Sequence, residues 1–342
     1  MKITTEEELD LLLSEPSSAT IEAMKRLDGD IAIIGIGGKI GPSLGRMAAR
    51  AVAQANVKKR VFGVSRFSEA SLEKQLASWG IQAIPCDLLD RDAVDALPDV
   101  ENVIFMAGRK FGTSGGGEPL TWAMNAVLPA IVAERFKHGR IVVFSTGCVY
   151  PLVDATRGGS VEADRPDPVG EYAQSCLGRE RVFEYFAGLH KTRVLLFRLN
   201  YAIDLRYGVL HDIARSVWDG RPVDNSVGEF NAIWQGDVND WALRCLEHCT
   251  SPPSILNVTG PEIETVSHAA EAFGRMMNKQ VRYVKPAPGK ICYLSNASKA
   301  FSIFGRPRVS MDEMIRLQAE WIMAGGRSLG KPTHFEVSNG NF

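Results

Sequence analysis

The apolar run Ile31-Ala32-Ile33-Ile34 passes directly into Gly35-Ile36-Gly37-Gly38-Lys39-Ile40-Gly41, and Pro42 then opens a helical pattern. This junction constrains the chain more than any other feature. Four apolar residues without polar alternation indicate a strand covered on both faces, as in a parallel sheet. Gly35, Gly38 and Gly41 carry a GxxGxxG spacing. The first permits a tight turn, the second lets the backbone approach a pyrophosphate, and the third lets helix and strand pack closely. Proline suits a first helical turn, where its missing N–H costs nothing. Free N–H groups and the helix dipole then face an anion. The turn therefore reads as a nucleotide-phosphate site formed by Gly35, Gly37, Gly38, Lys39, Ile40 and Gly41. The plain alternative is a structural turn.

Further strands are expected at 61–64, 81–85, 103–106, 141–144 and 194–197, with helices over 43–55, 69–78, 120–136 and 172–189 between them. Alternating strands and helices predict an α/β fold, a Rossmann-type doubly wound parallel sheet over 30–200. After Asn200 the pattern loosens. Helices are expected over 209–219, 238–249, 264–277 and 310–324, punctuated by Pro and Gly. Residues 201–330 read as a smaller C-terminal lobe covering the substrate side of the sheet, with room for the chain to return to the sheet. Residues 331–342 form a tail. Residues 1–29 read as an N-terminal helical extension of two helices. Thr5 and Glu8 suit a capping box, Pro16 breaks the first helix, and Ile21, Met24 and Leu27 share one face of the second.

With 342 residues the chain exceeds one typical domain. Its formal net charge of -1, without a basic block, gives no support for a nucleic-acid or anionic-membrane partner. The acidic N-terminus lacks the basic start and apolar core of a signal peptide, and no apolar run approaches the ~20 residues that span a bilayer. A cytoplasmic protein with reduced thiols is expected. Cys245, His248 and Cys249 offer two thiolates and an imidazole at helical spacing but no evident fourth ligand, so no metal is expected.

Cofactor choice rests on the end of the second strand, Gly63-Val64-Ser65-Arg66. A carboxylate there would hold the ribose 2′-hydroxyl of NAD. Ser65 and Arg66 suit a 2′-phosphate instead. NADP is the expected cofactor and NAD the alternative, in which Arg66 is a solvated surface residue.

These residues resemble the extended short-chain dehydrogenase/reductase superfamily, in particular the NAD-dependent epimerase/dehydratase family, over roughly residues 30–325. Gly35, Gly38 and Gly41 match its dinucleotide turn. Asp87-Leu88 matches its adenine-contacting pair, and Met106-Ala107-Gly108 the small-residue segment under the cofactor. Asn125 matches a supporting Asn of the active site and is counted, with Tyr172, among the expected cofactor-binding residues. Phe144-Ser145-Thr146-Gly147-Cys148-Val149-Tyr150 looks like its Ser-Ser-x-x-Val-Tyr strand end. The resemblance implies that Thr146 binds the substrate oxygen and that Tyr172 moves the proton. Arg198-Leu199-Asn200 resembles its Arg-x-x-Asn substrate-side segment, one residue shorter, and Gln235-Gly236-Asp237-Val238 resembles its late Asp-Val. The resemblance also implies a homodimer through helices 120–136 and 172–189.

The chain departs from that pattern in two places. Tyr172-Ala173-Gln174-Ser175-Cys176 carries Cys176 where the family has the Lys that assists its Tyr. An unassisted Tyr titrates near ~10. Arg109 or Lys110 could supply charge from another direction. A buried small residue is the main reading of Cys176, with a contact or a nucleophile as alternatives. Second, Gly228 to Trp234 lacks the Arg that grips a substrate diphosphate. A sugar or sugar acid is therefore expected over a nucleotide sugar, with Asn200, Tyr201, Trp234 and Arg206 as candidate pocket residues. Two functional readings stay open. One is an NAD(P)-dependent oxidoreductase or epimerase/dehydratase-like enzyme on a carbohydrate-like alcohol or ketone. The other is a catalytically degenerate NAD(P)-binding sensor or scaffold.

Overall fold

The computed structural model describes residues 3–68, 70–110, 112, 115–285, 287, 290–331, 333–337 and 340. The expected helix start at Glu69 and parts of the 331–342 tail lie outside the described residues. Seven strands form one sheet: β1 Ile31–Ile34, β2 Val61–Ser65, β3 Gln82–Pro85, β4 Asn102–Phe105, β5 Arg140–Thr146, β6 Arg193–Leu199 and β7 Ser254–Val258. Their spatial order is β7-β6-β5-β4-β1-β2-β3, and every pairing is parallel. The order reverses between β1 and β4, which opens a crevice at the carboxyl ends of those two strands. The protein is a doubly wound α/β fold of Rossmann type.

Side-chain alternation along each strand separates two cores. Ile31, Ile33, Ile104, Val142, Phe144, Leu195 and Phe197 face helices α1 Ser18–Arg26, α2 Gly41–Ala55 and α3 Gln235–Arg244. Ala32, Ile34, Phe105, Val143 and Leu196 face the opposite layer, which includes Leu128–Arg135 and Gly170–His190. A third core belongs to the smaller lobe. It gathers helices Val209–Trp218, Val266–Met277 and Met311–Met323. The span read as lobe, 201–330, thus divides its residues. α3, β7 and the helix Ser298–Phe304 pack on the sheet, because their apolar residues complete its first core.

The N-terminal extension joins the two bodies. Glu6–Leu13 is capped by Thr5 and Glu8, as the spacing predicts, and buries Leu9 and Leu13 in the lobe core. α1 buries Ala23, Met24 and Leu27 against the sheet. Its N-terminal Ser17 N–H and Thr20 hydroxyl both donate to Asp240 of α3, at 2.8 and 2.6 Å.

The helix expected over 120–136 is interrupted by a π-helical turn, Ala123–Val127, where the Leu128 N–H reaches back to the Ala123 carbonyl. Pro129 follows. It cannot donate to the Asn125 carbonyl, so the wider turn is accommodated without a lost bond. Among the described residues, no helix is long and apolar enough to cross a membrane, and no cluster of His, Cys, Asp and Glu could hold a metal ion.

Beneath β5 and β6 lies a buried ion pair. The Arg198 guanidinium donates to both Glu180 carboxylate oxygens at 2.9 and 2.6 Å, and to the Tyr150 hydroxyl at 2.7 Å. Both charged side chains are almost fully excluded from solvent. Removing one partner leaves the other charge buried alone, which costs about 3–5 kcal/mol. Glu180→Ala is therefore expected to lower the unfolding free energy by that amount in a denaturant titration. A loss under about 1 kcal/mol, the ceiling for an exposed pair, would contradict the pairing.

Candidate functional site

The crevice at the switch point holds two adjoining cavities that share Gly35, Gly38, Met106 and Gly108. The first, of about 620 Å³, is lined by Gly37, Ser65, Arg66, Asp87, Leu88 and Ala107 among others. The second, of about 350 Å³, is lined by Lys39, Thr146, Tyr172, Asn200 and Tyr201 among others. Together they run across the carboxyl ends of β2, β1, β4 and β5.

The glycine turn is shaped by close approach. Gly35 has φ +90°, and a Cβ there would lie 2.6 Å from the Ala107 backbone nitrogen. A Cβ on Gly41 would lie 2.1 Å from the Ile36 carbonyl oxygen, so Gly41 sits behind the turn and lets α2 pack. Gly38 differs. A Cβ there would meet only the Gly35 carbonyl, at 3.5 Å, an ordinary contact. Packing does not demand that glycine, and its bare backbone faces the shared cavity. This is the space a bound pyrophosphate needs. At the other end Ser65 and Arg66 line the cavity, and Asp87 is the one carboxylate among its described lining residues. The residues present fit a nicotinamide dinucleotide.

The second cavity brings together Thr146 and Tyr172. Thr146 ends β5, where its Oγ1 accepts the Cys148 N–H at 3.1 Å, and it hydrogen-bonds Tyr172 from the first turn of Gly170–His190. The Tyr172 hydroxyl lies well above the ordinary phenol range. Burial is the main cause, the neighbouring Cys176 and Cys148 thiols add to it, and Arg179 and Thr146 oppose it. Lys110 Nζ stands 5.9 Å from the Tyr172 ring centroid, and Arg109 lines the same cavity. Cys176 is fully buried against Val149 and Tyr150. Burial pushes its thiol up to about 11, which leaves little thiolate for nucleophilic work.

Several expected site residues lie elsewhere. Trp234 is 1% exposed and belongs to the lobe core, so the substrate role expected for it is corrected. Its chain neighbour Gln235 lines the cavity instead, with its amide donating to Ser43 at the start of α2. Arg206 is bound by Asp204, Asp10 and Glu6 and braces the extension. Asn125, expected to touch cofactor, is fully buried beneath the site. Its Oδ1 accepts from the Arg109 N–H and from Arg179, and its Nδ2 donates to the Arg109 carbonyl and Ser175, at 2.8–2.9 Å. Arg198 is in the buried ion pair, and Asp237 binds Arg308 at 2.7 Å. Asn200 and Tyr201 do line the cavity. The Asn200 amide donates to Asn231 Oδ1 at 2.8 Å, and Tyr201 holds φ +42°.

Cavity residues outside the expected set include, besides Gln235, Tyr207, Cys148, Thr333 and Arg179. Only Arg179 has a signal in the sequence, since Tyr172, Cys176 and Arg179 fall at i, i+4 and i+7 of one helix. Thr333 arrives from the tail. Its N–H and hydroxyl donate to Asp212 at 2.7 and 2.5 Å, and its carbonyl accepts from Lys110.

The second cavity is lined by Lys39, Arg109, Lys110 and Arg179, with no carboxylate among its described lining residues. Lys39 stands 3.3 Å above the Tyr207 ring.

Residues 31–203 match the family model described as the NAD dependent epimerase/dehydratase family, and the chain belongs to it. The members of that family are enzymes. No curated protein matches the chain in sequence. Among solved structures it is similar to UDP-glucuronic acid 4-epimerase from Bacillus cereus, in complex with UDP-glucuronic acid and NAD, at 18% identity and TM-score 0.70, covering 86% of this chain and 99% of that one. It is also similar to dTDP-glucose 4,6-dehydratase from Bacillus anthracis in complex with NAD, at 14% identity and TM-score 0.72, covering 86% and 97%. A third similar structure is UDP-glucose 4-epimerase from Thermotoga maritima with UDP-glucose, at 16% identity and TM-score 0.70, covering 86% and 99%. At these identities the likeness is one of fold.

Burial, with Lys110 and Lys331 nearby, brings the Lys39 ammonium down to about 7, against a weaker opposing pull from Asp212. Because this pKa is depressed on folding, the unfolded chain binds more protons between about 7 and the ordinary lysine range. The contribution of Lys39 to stability is therefore least favourable below pH 7 and improves as pH rises through that window. An anion beside Lys39 restores its charge. Binding of inorganic pyrophosphate at about pH 8 is expected to take up protons, read by calorimetry in buffers of different ionisation enthalpy. Lys39→Met should abolish the uptake, and equal uptake in both proteins would sink the assignment.

Proposed function

We propose that this member of the epimerase/dehydratase family oxidises a carbinol carbon of an anionic, sugar-like substrate, most simply a nucleotide sugar, using a bound nicotinamide dinucleotide. The observation that carries the reading is the hydrogen-bonded Thr146–Tyr172 pair facing a cavity continuous with the dinucleotide crevice. The cofactor, when bound, supplies reversible hydride acceptance from that carbon. The Thr146 hydroxyl holds the substrate oxygen. The Tyr172 phenol exchanges the proton of that oxygen. Met106, Gly108 and Phe144 line the same cavity, and fixing both groups on a strand end and a helix holds the reacting geometry.

Two observations favour a nucleotide sugar over the smaller sugar expected from the sequence. The cavity is lined by cations without a carboxylate among its described residues, which suits a diphosphate. The similar solved enzymes are named for UDP-glucuronic acid, dTDP-glucose and UDP-glucose. A sugar acid would satisfy the same cations. Ser65 and Arg66, with no carboxylate at the end of β2, support NADP. The NAD held by the solved relatives supports the other form.

Fluorescence titration is expected to show binding of NADPH tighter than NADH, with the difference lost in Arg66→Ala. Tighter NADH would reverse the cofactor assignment. Turnover of UDP-glucuronic acid or UDP-glucose, followed by product analysis, should fall at least about 10²-fold in Tyr172→Phe with cofactor affinity kept. A wild type that binds cofactor but converts no sugar, acid or nucleotide sugar would favour the sensor or scaffold reading.

We also infer a homodimer. Leu120, Trp122, Val127, Tyr185 and Leu189 are exposed on the two helices that cover one face of the sheet. Sedimentation is expected to give a dimer, with Val127→Glu plus Tyr185→Glu shifting it to monomer. A wild-type monomer at all concentrations would refute the inference.

A further inference from the structure

The helix Gly170–His190 begins at the mouth of the catalytic cavity, and Tyr172, Cys176 and Arg179 lie along one of its faces. Cys176 fills the middle position with a small buried thiol packed on Val149 and Tyr150. No cation occupies that turn. One turn further, Arg179 runs back toward the site and lines the cavity, although only 6% of it is exposed. Its guanidinium lies under Gly108, where a Cβ would come within 2.3 Å of Nη2. Glycine at 108 is thus what admits the guanidinium beneath the end of β4.

The hydrogen-bond acceptors of Arg179 among the described residues are neutral. Nη1 donates to the Phe144 carbonyl and Nη2 to Asn125 Oδ1, both at 2.8 Å. Among the described residues its buried Nε has no hydrogen-bond partner. Glu180, next in the chain, is committed to Arg198 and to the Ser145 hydroxyl. A buried guanidinium held only by neutral acceptors costs free energy unless it serves a negative charge. Asn125, fixed through both its amide atoms, aims the guanidinium by accepting from it and from the Arg109 N–H together.

We propose that Arg179 is the positioning cation of this site, supplying from one turn beyond Cys176 the fixed positive charge that supports proton transfer at Tyr172. The assignment rests on the role given above to Tyr172. Arginine suits the longer reach, and it keeps its charge at every working pH. The charged and titratable groups around Tyr172 are Cys176 and Arg179 on its own helix, Cys148 after β5 and Lys110 after β4. Arg179 pulls the phenol toward its ionised form, and the two thiols oppose it.

The test compares pH–rate profiles with UDP-glucuronic acid as probe. Arg179→Met is expected to reduce neutral-pH turnover by about 10²-fold and to move the alkaline rise of activity to higher pH. Arg179→Lys should keep the rise near its wild-type position, and Cys176→Lys in the Arg179→Met background should restore neutral turnover. A uniform loss in Arg179→Met with an unmoved profile and no rescue would mark Arg179 as structural and overturn the proposal. If the wild type itself converts no substrate, the functional reading fails separately. Ultraviolet difference titration of tyrosinate then decides. The transition that disappears in Tyr172→Phe should shift to higher pH in Arg179→Met, and an unshifted transition overturns the proposal.

Discussion

The close approach of the glycine turn to the end of β4 is the constraint on which the site depends. With Gly35 at φ +90° and its α-carbon against Ala107, the chain leaving β1 crosses directly over the neighbouring strand. No other residue fits there. Gly41 against Ile36 then lets α2 descend onto the sheet. The two contacts together hold the crevice open at the strand-order reversal, and Gly38 lies bare between them.

The smaller lobe is held to the sheet by the N-terminal extension. Leu9 and Leu13 are in one core and Met24 and Leu27 in the other, so the extension spans the junction. The polar contacts are buried as well. Asp240 accepts from Ser17 and Thr20, and the Asn239 amide donates to the Leu13 carbonyl and to Ser43 at the start of α2. The extension thereby helps align Gln235 and Tyr207 with Thr146 and Tyr172 across the cavity.

Electrostatics divides the crevice. Its end beside Ser65 is nearly neutral in lining, with Arg66 and Asp87, while its end beside Tyr172 gathers cations and buried thiols. Burial raises Tyr172, Cys148 and Cys176 alike, because each charged form loses water. On the helix that carries Tyr172, the Cys176 thiol lies one turn on and Arg179 a further turn along the same face. Gly108 and Asn125, which sits in the π-helical turn, pack about the Arg179 guanidinium.

The sequence by itself determined the parts that act locally. The β1 run and its glycines specify a strand, a turn and a helix within one short segment, and Thr5 with Glu8 specify a cap. The alternation of strands and helices up to Leu199 was legible for the same reason, since burial on both faces leaves continuous apolar runs. Tertiary structure alone decided which residues meet across long separations. It put Trp234 in a core and Gln235 in the cavity, although the two are adjacent. It also enclosed Arg198 with Glu180, tied Arg206 to the extension, returned Ser254–Val258 to the sheet edge and brought Thr333 over the site. Side-chain chemistry does not reveal a partner many residues away. A buried arginine and a ligand-binding one read identically until packing supplies, or withholds, the carboxylate.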